Sequence, residues 1–222
     1  MSIISILNPK GGSGKTTLTT NMARSLHERG FKVLIVDSDP QGSARDWHAA
    51  YDENPLPLVA LDRPQNIKSL GSVAANYDFV LIDGAAKLED MVAAAVKVSD
   101  CVLIPVQPSP YDIWAASELV DGIKTRQDLT DGKPVAAFVV TRRIEGTKLG
   151  DEVRTALDEY DLPVFKTAVT QRQTYPQTAS EGRTVFDGTN TKAQEEIEAI
   201  ISELLSLISF TQADEVKNGT LG

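Results

Sequence analysis

Asn8-Pro9-Lys10-Gly11-Gly12-Ser13-Gly14-Lys15-Thr16-Thr17 is the stretch that decides the fold. Before it runs the largely apolar Ile3-Ile4-Ser5-Ile6-Leu7, and after it Leu18, Met22 and Leu26 recur at helical spacing. Strand, glycine-rich loop and helix in that order form the setting in which a phosphate-binding loop works. Glycines let backbone N–H groups turn toward an anion with no Cβ in the way, and the helix directs its positive end at the same place. Lys15 is placed to reach the outer phosphates, and the Thr16 hydroxyl to hold Mg²⁺. The common pattern G-x-x-x-x-G-K-[ST] would put glycine where this chain has Pro9, and Lys10 is an extra cation before Lys15. Spacing leaves two readings of Lys10 open: a cation for a phosphate held by another subunit, or a solvated surface lysine.

Working outward, strand and helix signals alternate. Gly30 ends the first helical segment, as a C-terminal glycine does. Short, branched apolar runs at 32–37, 78–83, 101–106 and 135–140 read as buried strands, 55–61 as a weaker one, and 164–169 as the last. Helices are expected at 43–50, 64–75, 89–98, 148–159 and 174–180, and from a cap at Asp112 to about Arg126. The final helix begins near Lys192. Its apolar stripe is Ile197, Ile200, Ile201, Leu204, Leu205 and Ile208, and Glu195, Glu196, Glu198 and Glu203 form an acidic face. Residues 211–222 read as a polar, disordered tail. The expected fold is α/β: a doubly wound, mostly parallel sheet with helices on both faces, in one domain over residues 1–210.

Composition narrows the function classes. The 222-residue chain is 41% hydrophobic and 24% charged, ordinary values for a soluble globular protein. Cys101 is alone, so one chain can form neither an internal disulfide nor a cysteine metal cluster. No secretory leader and no apolar run of membrane-spanning length is present, so a cytoplasmic protein is expected. A net charge of −9 argues against nucleic-acid binding by the surface as a whole and leaves room for a local basic patch.

Three features fall at strand C-terminal ends: the loop, the pair Asp37 and Asp39, and Asp83. In a parallel sheet these ends share one edge, where ligands bind. Mg·ATP needs such a set, because the metal takes a hydroxyl and one or two carboxylates, directly or through water. A carboxylate of the Asp37/Asp39 turn could then orient or deprotonate the attacking water.

The run 10–17, Asp37-Ser38-Asp39-Pro40-Gln41-Gly42 and Ile82-Asp83-Gly84-Ala85 resemble the ParA/MinD family of deviant-Walker ATPases. Asp83-Gly84-Ala85, the run 104–112, Thr141-Arg142-Arg143-Ile144-Glu145 and Thr170-Gln171-Arg172-Gln173 are similar to its short, ParF-like plasmid-partition members. The likeness spans residues 2–208. It implies that Gly11, Gly12, Ser13, Gly14 and Lys15 hold the phosphates of the subunit's own ATP, with Thr17 near the α-phosphate. Lys10 would reach the partner's nucleotide across an ATP-sandwich homodimer. Thr16 would ligate Mg²⁺, Asp37 and Asp83 would support the metal and its waters, and Asp39 would serve the attacking water. Thr141, Arg142 and the segment around Pro108 would lie near the base.

The same resemblance implies DNA segregation by ATP-dependent, non-specific DNA binding, with a ParB- or ParG-like centromere-bound adaptor stimulating slow hydrolysis. Because this chain opens at its first strand, the operator-reading domain of longer members is expected to be missing. The ATP-bound form would associate with the bacterial nucleoid, without a membrane. Candidate DNA contacts are Arg142, Arg143, Lys148, Arg154, Lys166, Arg172, Arg183 and Lys192, with Arg172 and Lys192 favoured. Two rival readings are a MinD-type membrane-surface regulator, which would need a basic C-terminal helix, and an ATP-dependent metabolic ligase on the same fold.

Overall fold

The computed structural model describes residues 1–86, 89–146 and 149–218; for residues 149–152 and 210–218 it describes the backbone path alone. The elements are β1 (Ser2–Ile6), α1 (Lys15–Glu28), β2 (Val33–Asp37), α2 (Ser43–Ala49), β3 (Leu58–Ala60), α3 (Pro64–Lys68) and α4 (Leu70–Ala74). There follow β4 (Phe79–Asp83), α5 (Glu89–Val98), β5 (Cys101–Val106), α6 (Pro110–Ala115), α7 (Ser117–Asp128) and β6 (Val135–Val140). The chain continues through α8 (Leu149–Asp158), α9 (Thr174–Ser180), a 3₁₀ turn at Val185–Asp187 and α10 (Thr191–Asn218).

Six strands make one sheet in the order β3-β2-β4-β1-β5-β6, and every pairing is parallel. β2, β4 and β5 are buried along their whole length, which is why they read as unbroken apolar runs. Apolar side chains pack on both sheet faces, with Leu34, Val36, Val80 and Ile82 on one and Ile4, Ile35, Leu81 and Leu103 on the other. β1 lies between β4 and β5, so the strand order reverses beside it, and the crevice at its carboxyl end is where such sheets bind ligands. Register aligns the chemistry there: Asp83 sits opposite Ile6 on one side and Asp37 on the other.

α1 buries Leu18, Met22, Ala23 and Leu26 against this sheet. Past its end Gly30 takes φ +89°, and the Phe31 N–H returns to the Leu26 carbonyl at 3.2 Å, a Schellman closure. α10 docks on the same face through Ile197, Ile200, Ile201 and Leu204, all fully buried. Three of its acidic residues are engaged by the protein. Glu198 accepts from Ser25 and Arg29, Glu203 from the N–H groups of Lys166 and Thr167, and Glu196 from Thr170 and Arg172.

Three expectations need correction. The 164–169 segment lines the edge of β6 by isolated bridges, Phe138–Val164 and Arg143–Thr170, and forms no regular strand. The helix expected over 64–75 breaks at Ser69 into α3 and α4. Asp112 is no cap: Ser109 occupies that position of α6, and Asp112 lies inside the first turn, buried. α10 continues to Asn218; of the tail expected at 211–222, residues 219–222 lie outside the described residues. No helix among the described residues is long and apolar enough to cross a membrane. Cys101 is fully buried at the start of β5, and burial pushes its thiol far above the ordinary range.

Candidate functional site

The loop between β1 and α1 is held open by its own neighbours. The Asn8 amide donates to the Pro105 carbonyl at 2.7 Å, and the Asn8 Oδ1 accepts the Lys10 N–H at 2.7 Å. Gln107 reaches the Gly12 carbonyl at 2.8 Å, and the Thr141 hydroxyl the Ser13 carbonyl at 2.8 Å. Gly12 and Gly14 take φ +76° and +96°, a region that admits L side chains at a cost, which is why the loop spends glycines here. Lys15 is buried, its ammonium on the carbonyls of Asn8 and Lys10 at 3.1 Å each. Burial lowers its pKa, and the charges of Asp83 and Asp39 oppose that shift. The Ser13 hydroxyl is buried with no hydrogen-bond partner among the described residues. Buried polar atoms are almost always paired, so an orphan inside an anion cradle points to a ligand that would complete it.

A cleft of about 770 Å³ opens over this loop, lined by Gly11, Gly12, Gly14 to Thr17, Asp39, Pro40, Gly84, Ala85 and Arg142. Thr16 donates to Asp83 Oδ2 at 2.7 Å, so the candidate metal hydroxyl and carboxylate already touch. Hard oxygen donors of this kind suit Mg²⁺, which takes its remaining ligands from phosphate and water. Among the described residues no group of three or more His, Cys, Asp or Glu could hold a metal without such help. Gly84 keeps Asp83 tight against β1: a Cβ there would lie 2.3 Å from Leu7 Cδ2 and 2.8 Å from the Ile6 carbonyl.

Asp37, expected beside the metal, has both oxygens engaged. Oδ1 accepts the Asp39 N–H at 3.0 Å, and Oδ2 accepts the Arg45 N–H at 2.9 Å and its Nε at 3.3 Å. Arg45 also donates to the Asp39 carbonyl at 2.8 Å. Asp37 and Arg45 thus fix the turn that carries Asp39 into the cleft. The apolar pattern gave no sign of Arg45; its position three residues after Gly42, at the start of α2, was the available signal.

A second chamber of about 370 Å³ adjoins the first and shares Gly14, Thr17 and Arg142 with it. Its other walls are Thr141, Val169 to Gln173, Tyr175 and Pro176. Thr141 and Arg142 stand where a base could follow the phosphates. Pro108 lines neither chamber; its neighbour Gln107 instead braces the loop at Gly12.

The expected DNA contacts divide. Arg172 is committed to Glu196 at 2.7 Å and Glu145 at 3.3 Å and lines the second chamber. Arg154 donates to the carbonyls of Phe165 and Lys166, and Arg143 is half-buried. Arg142, Lys166, Arg183 and Lys192 are exposed. Arg183 lies over the Tyr51 ring at 4.9 Å, while Glu196 ties the start of α10, with Lys192, to Arg172 and Thr170. Lys148 lies outside the described residues.

Burial raises the Asp83 pKa to about 7, with the Asp37 and Asp39 charges adding to it and Thr16 and Lys15 opposing. A raised carboxylate binds its proton more tightly folded than unfolded. Its penalty is absent below the unfolded value and grows as pH rises from about 4 to about 7, to a few kcal/mol. Wild type should therefore lose stability relative to Asp83→Asn between pH 5 and pH 8 in urea titrations. Parallel stabilities of the two proteins at both pH values would contradict this.

Residues 4–185 match the family model described as the CobQ/CobB/MinD/ParA nucleotide-binding domain. Among curated relatives, the maintenance of carboxysome distribution protein A of Halothiobacillus neapolitanus is 31% identical over 208 residues, spanning 91% of this chain and 95% of the relative. Two solved structures share the fold. An Asp-to-Ala variant of Cyanothece McdA in complex with ATP superposes with TM-score 0.75 at 16% identity, covering 92% of this chain and 96% of that one. The septum site-determining protein MinD of Pyrococcus horikoshii with Mg-ADP gives 0.70 at 21%, covering 91% and 95%.

Proposed function

Because the chain belongs to the CobQ/CobB/MinD/ParA nucleotide-binding family, we propose that it is a Mg²⁺-dependent ATPase that acts as a two-subunit positioning switch. The observation that carries this reading is the cleft where the loop, the Thr16–Asp83 contact and Asp39 meet. Gly11 to Gly14 present N–H groups to the phosphates, and Lys15 leaves its carbonyl partners for them. Thr16 and Asp83 would hold Mg²⁺, which would supply charge neutralisation at the phosphate oxygens. Asp39, fixed by Asp37 and Arg45, orients the water for in-line attack, so catalysis is positioning and charge stabilisation without a covalent intermediate. Lys10 crosses to the partner's nucleotide, so ATP joins two copies and hydrolysis lets them part.

The output of the switch is non-specific DNA binding by the dimer, with a ParB- or ParG-like adaptor stimulating release, and the cargo is a replicon. Of the candidate contacts, Lys192, Lys166, Arg142 and Arg183 are exposed. A second cargo class is favoured by one observation, the 31% identity with a protein named for carboxysome distribution; there the same switch would carry a protein body over DNA. Both readings need ATP-dependent DNA binding. Binding of random duplex DNA should appear with a non-hydrolysable ATP analogue, be absent with ADP or no nucleotide, and weaken by about tenfold or more between 50 and 200 mM salt. Equal binding in all three nucleotide states would reject the DNA output. ATP-dependent sedimentation with anionic liposomes would favour a membrane regulator instead.

A further inference from the structure

α5 and α7 each carry the chain from the carboxyl edge of the sheet back to its amino edge, so they run in the same direction. A groove of about 680 Å³ lies between them. Val92 and Val96 of α5 and Leu119 of α7 give it an apolar lining, and Leu129, just past α7, lines it while 76% exposed. The stripe that α7 turns to the groove differs from the one it packs on the sheet: Val120 and Ile123 serve the core, whereas Gly122 and Thr125 face the groove. At the carboxyl edge the groove reaches Pro9 and Asn8, ahead of the phosphate loop, and Ala86, which follows Asp83-Gly84-Ala85.

Two features say what would fill it. Gly122 stands inside α7, where glycine is less favourable than alanine. Nothing in this chain requires it there, since a Cβ would meet no atom within 4 Å. Ala93 on α5 is likewise small and exposed. Small residues on both walls let a third helix come close to the backbones. Charge runs along the same axis. Glu89 and Glu118 lie in the first turns of α5 and α7, Lys97 and Arg126 in the last. Each complements the dipole of its own helix, and among the described residues none of the four side chains has a hydrogen-bond or ion-pair partner. The groove is therefore acidic at the end near Pro9 and basic at the other.

We propose that the groove between α5 and α7 is the docking site for an amphipathic helix of a partner protein, about ten residues long and antiparallel to both. In that direction an ordinary helix, acidic in its first turn and basic in its last, sets its acidic end on Lys97 and Arg126 and its basic end on Glu89 and Glu118. Its apolar ridge fills the space beside Val92, Val96, Leu119 and Leu129, with a small residue over Gly122. A second copy does not offer such a ridge. Two facing grooves leave the hollow empty, and the other large apolar side chains described as exposed, Met1, Val73, Tyr111, Trp114 and Ile144, are scattered. Tyr111 and Trp114 share α6, which has only six residues. The basic end of the docked helix comes to rest beside Asn8, which braces Pro105 and the Lys10 N–H, so the partner contacts a support of the phosphate loop.

Two synthetic helices of about fourteen residues, held helical by side-chain staples and identical in their apolar face, serve as probes. One is acidic in its first turn and basic in its last; in the other the charges are exchanged. Fluorescence anisotropy with the full chain and no nucleotide reads binding, so the result stands apart from the ATPase reading. The first probe should bind about fivefold tighter than the second. Gly122→Leu, whose side chain enters open space, should weaken both by about tenfold or more, with Gly122→Gln as a second variant should leucine fold poorly. Exchanging the groove's own charges in Glu118→Arg/Arg126→Glu should reverse the preference between the probes. Melting curves check that each variant is folded. Failure of both probes to bind, equal binding of the two, or indifference to Gly122→Leu or to the charge exchange overturns the proposal. So does a wild-type sedimentation coefficient that falls in Gly122→Leu, which would assign the groove to a second copy.

Discussion

Lys10→Ala is expected to abolish ATP-dependent pairing while each copy still binds nucleotide. On the proposed reading the contacts to a single nucleotide would come from Gly11 to Thr17, and Lys10 lines neither the cleft over the loop nor the adjoining chamber. Its ammonium points away from the loop, toward Asp112. A charge-assisted hydrogen bond to phosphate contributes about 1.5–3 kcal/mol, and a two-fold dimer contains two. Their loss should weaken association by about 10²- to 10⁴-fold. Hydrolysis that depends on the pair should fall with it. Sedimentation velocity with a non-hydrolysable analogue measures the pairing, and fluorescence of a labelled nucleotide measures binding to the monomer. Retained pairing would remove Lys10 from the partner's site. Because Lys10→Ala also strips Asp112 of its cation, the double variant Lys10→Ala/Asp112→Asn separates lost reach from lost stability: it should stay monomeric while recovering the melting temperature.

Asp39→Ala should do the reverse, holding two copies together on ATP and on DNA. Asp39 is half-buried and reaches the cleft from a turn with little freedom. Its N–H bonds Asp37 Oδ1 at 3.0 Å, its Oδ1 accepts the Gln41 N–H at 3.0 Å, and Arg45 grips its carbonyl at 2.8 Å. Removing the carboxylate leaves the phosphate cradle, Thr16 and Asp83 untouched, so ATP binding should survive. A positioned proton acceptor contributes about 10²- to 10⁴-fold to rate. Single-turnover hydrolysis should slow by that order, and DNA complexes formed with ATP should persist as long as those formed with the non-hydrolysable analogue. Ordinary turnover in Asp39→Ala would move the water-orienting role elsewhere. Arg45→Ala should share part of the phenotype, since it loosens the same turn without touching ATP.

The phosphate side of this site is legible in the sequence because it is local. Strand, glycines, lysine and threonine fall within about a dozen consecutive residues, and carboxylates that close buried apolar runs must emerge at one sheet edge. Whatever depends on residues far apart in the chain is not legible there. The pairing of Lys10 with Asp112 has no local signature, and Asp112 at the third position of a short helix imitates a cap. The commitment of Arg172 to Glu196 and Glu145 turns a basic residue that looked available for DNA into a wall of the second chamber. The 164–169 segment has strand composition and bonds β6 from Phe165 to Phe138 and from Val169 to Val140, yet between them the Lys166 and Thr167 N–H groups turn to Glu203 of α10 and interrupt the ladder. Composition alone carries no information on that choice.

The solitary thiol at the head of β5 also makes the chain convenient to handle. Cys101 is fully buried and its thiolate is strongly disfavoured, so maleimide dyes and spin labels should pass it by while the protein is folded. A single cysteine introduced at Trp114 or Leu129, both exposed, would then be the sole reactive position on each copy. Distances between two such probes could follow assembly and release in real time, with no native residue removed beforehand. Slow dye uptake at Cys101 would in turn time the opening of the central sheet.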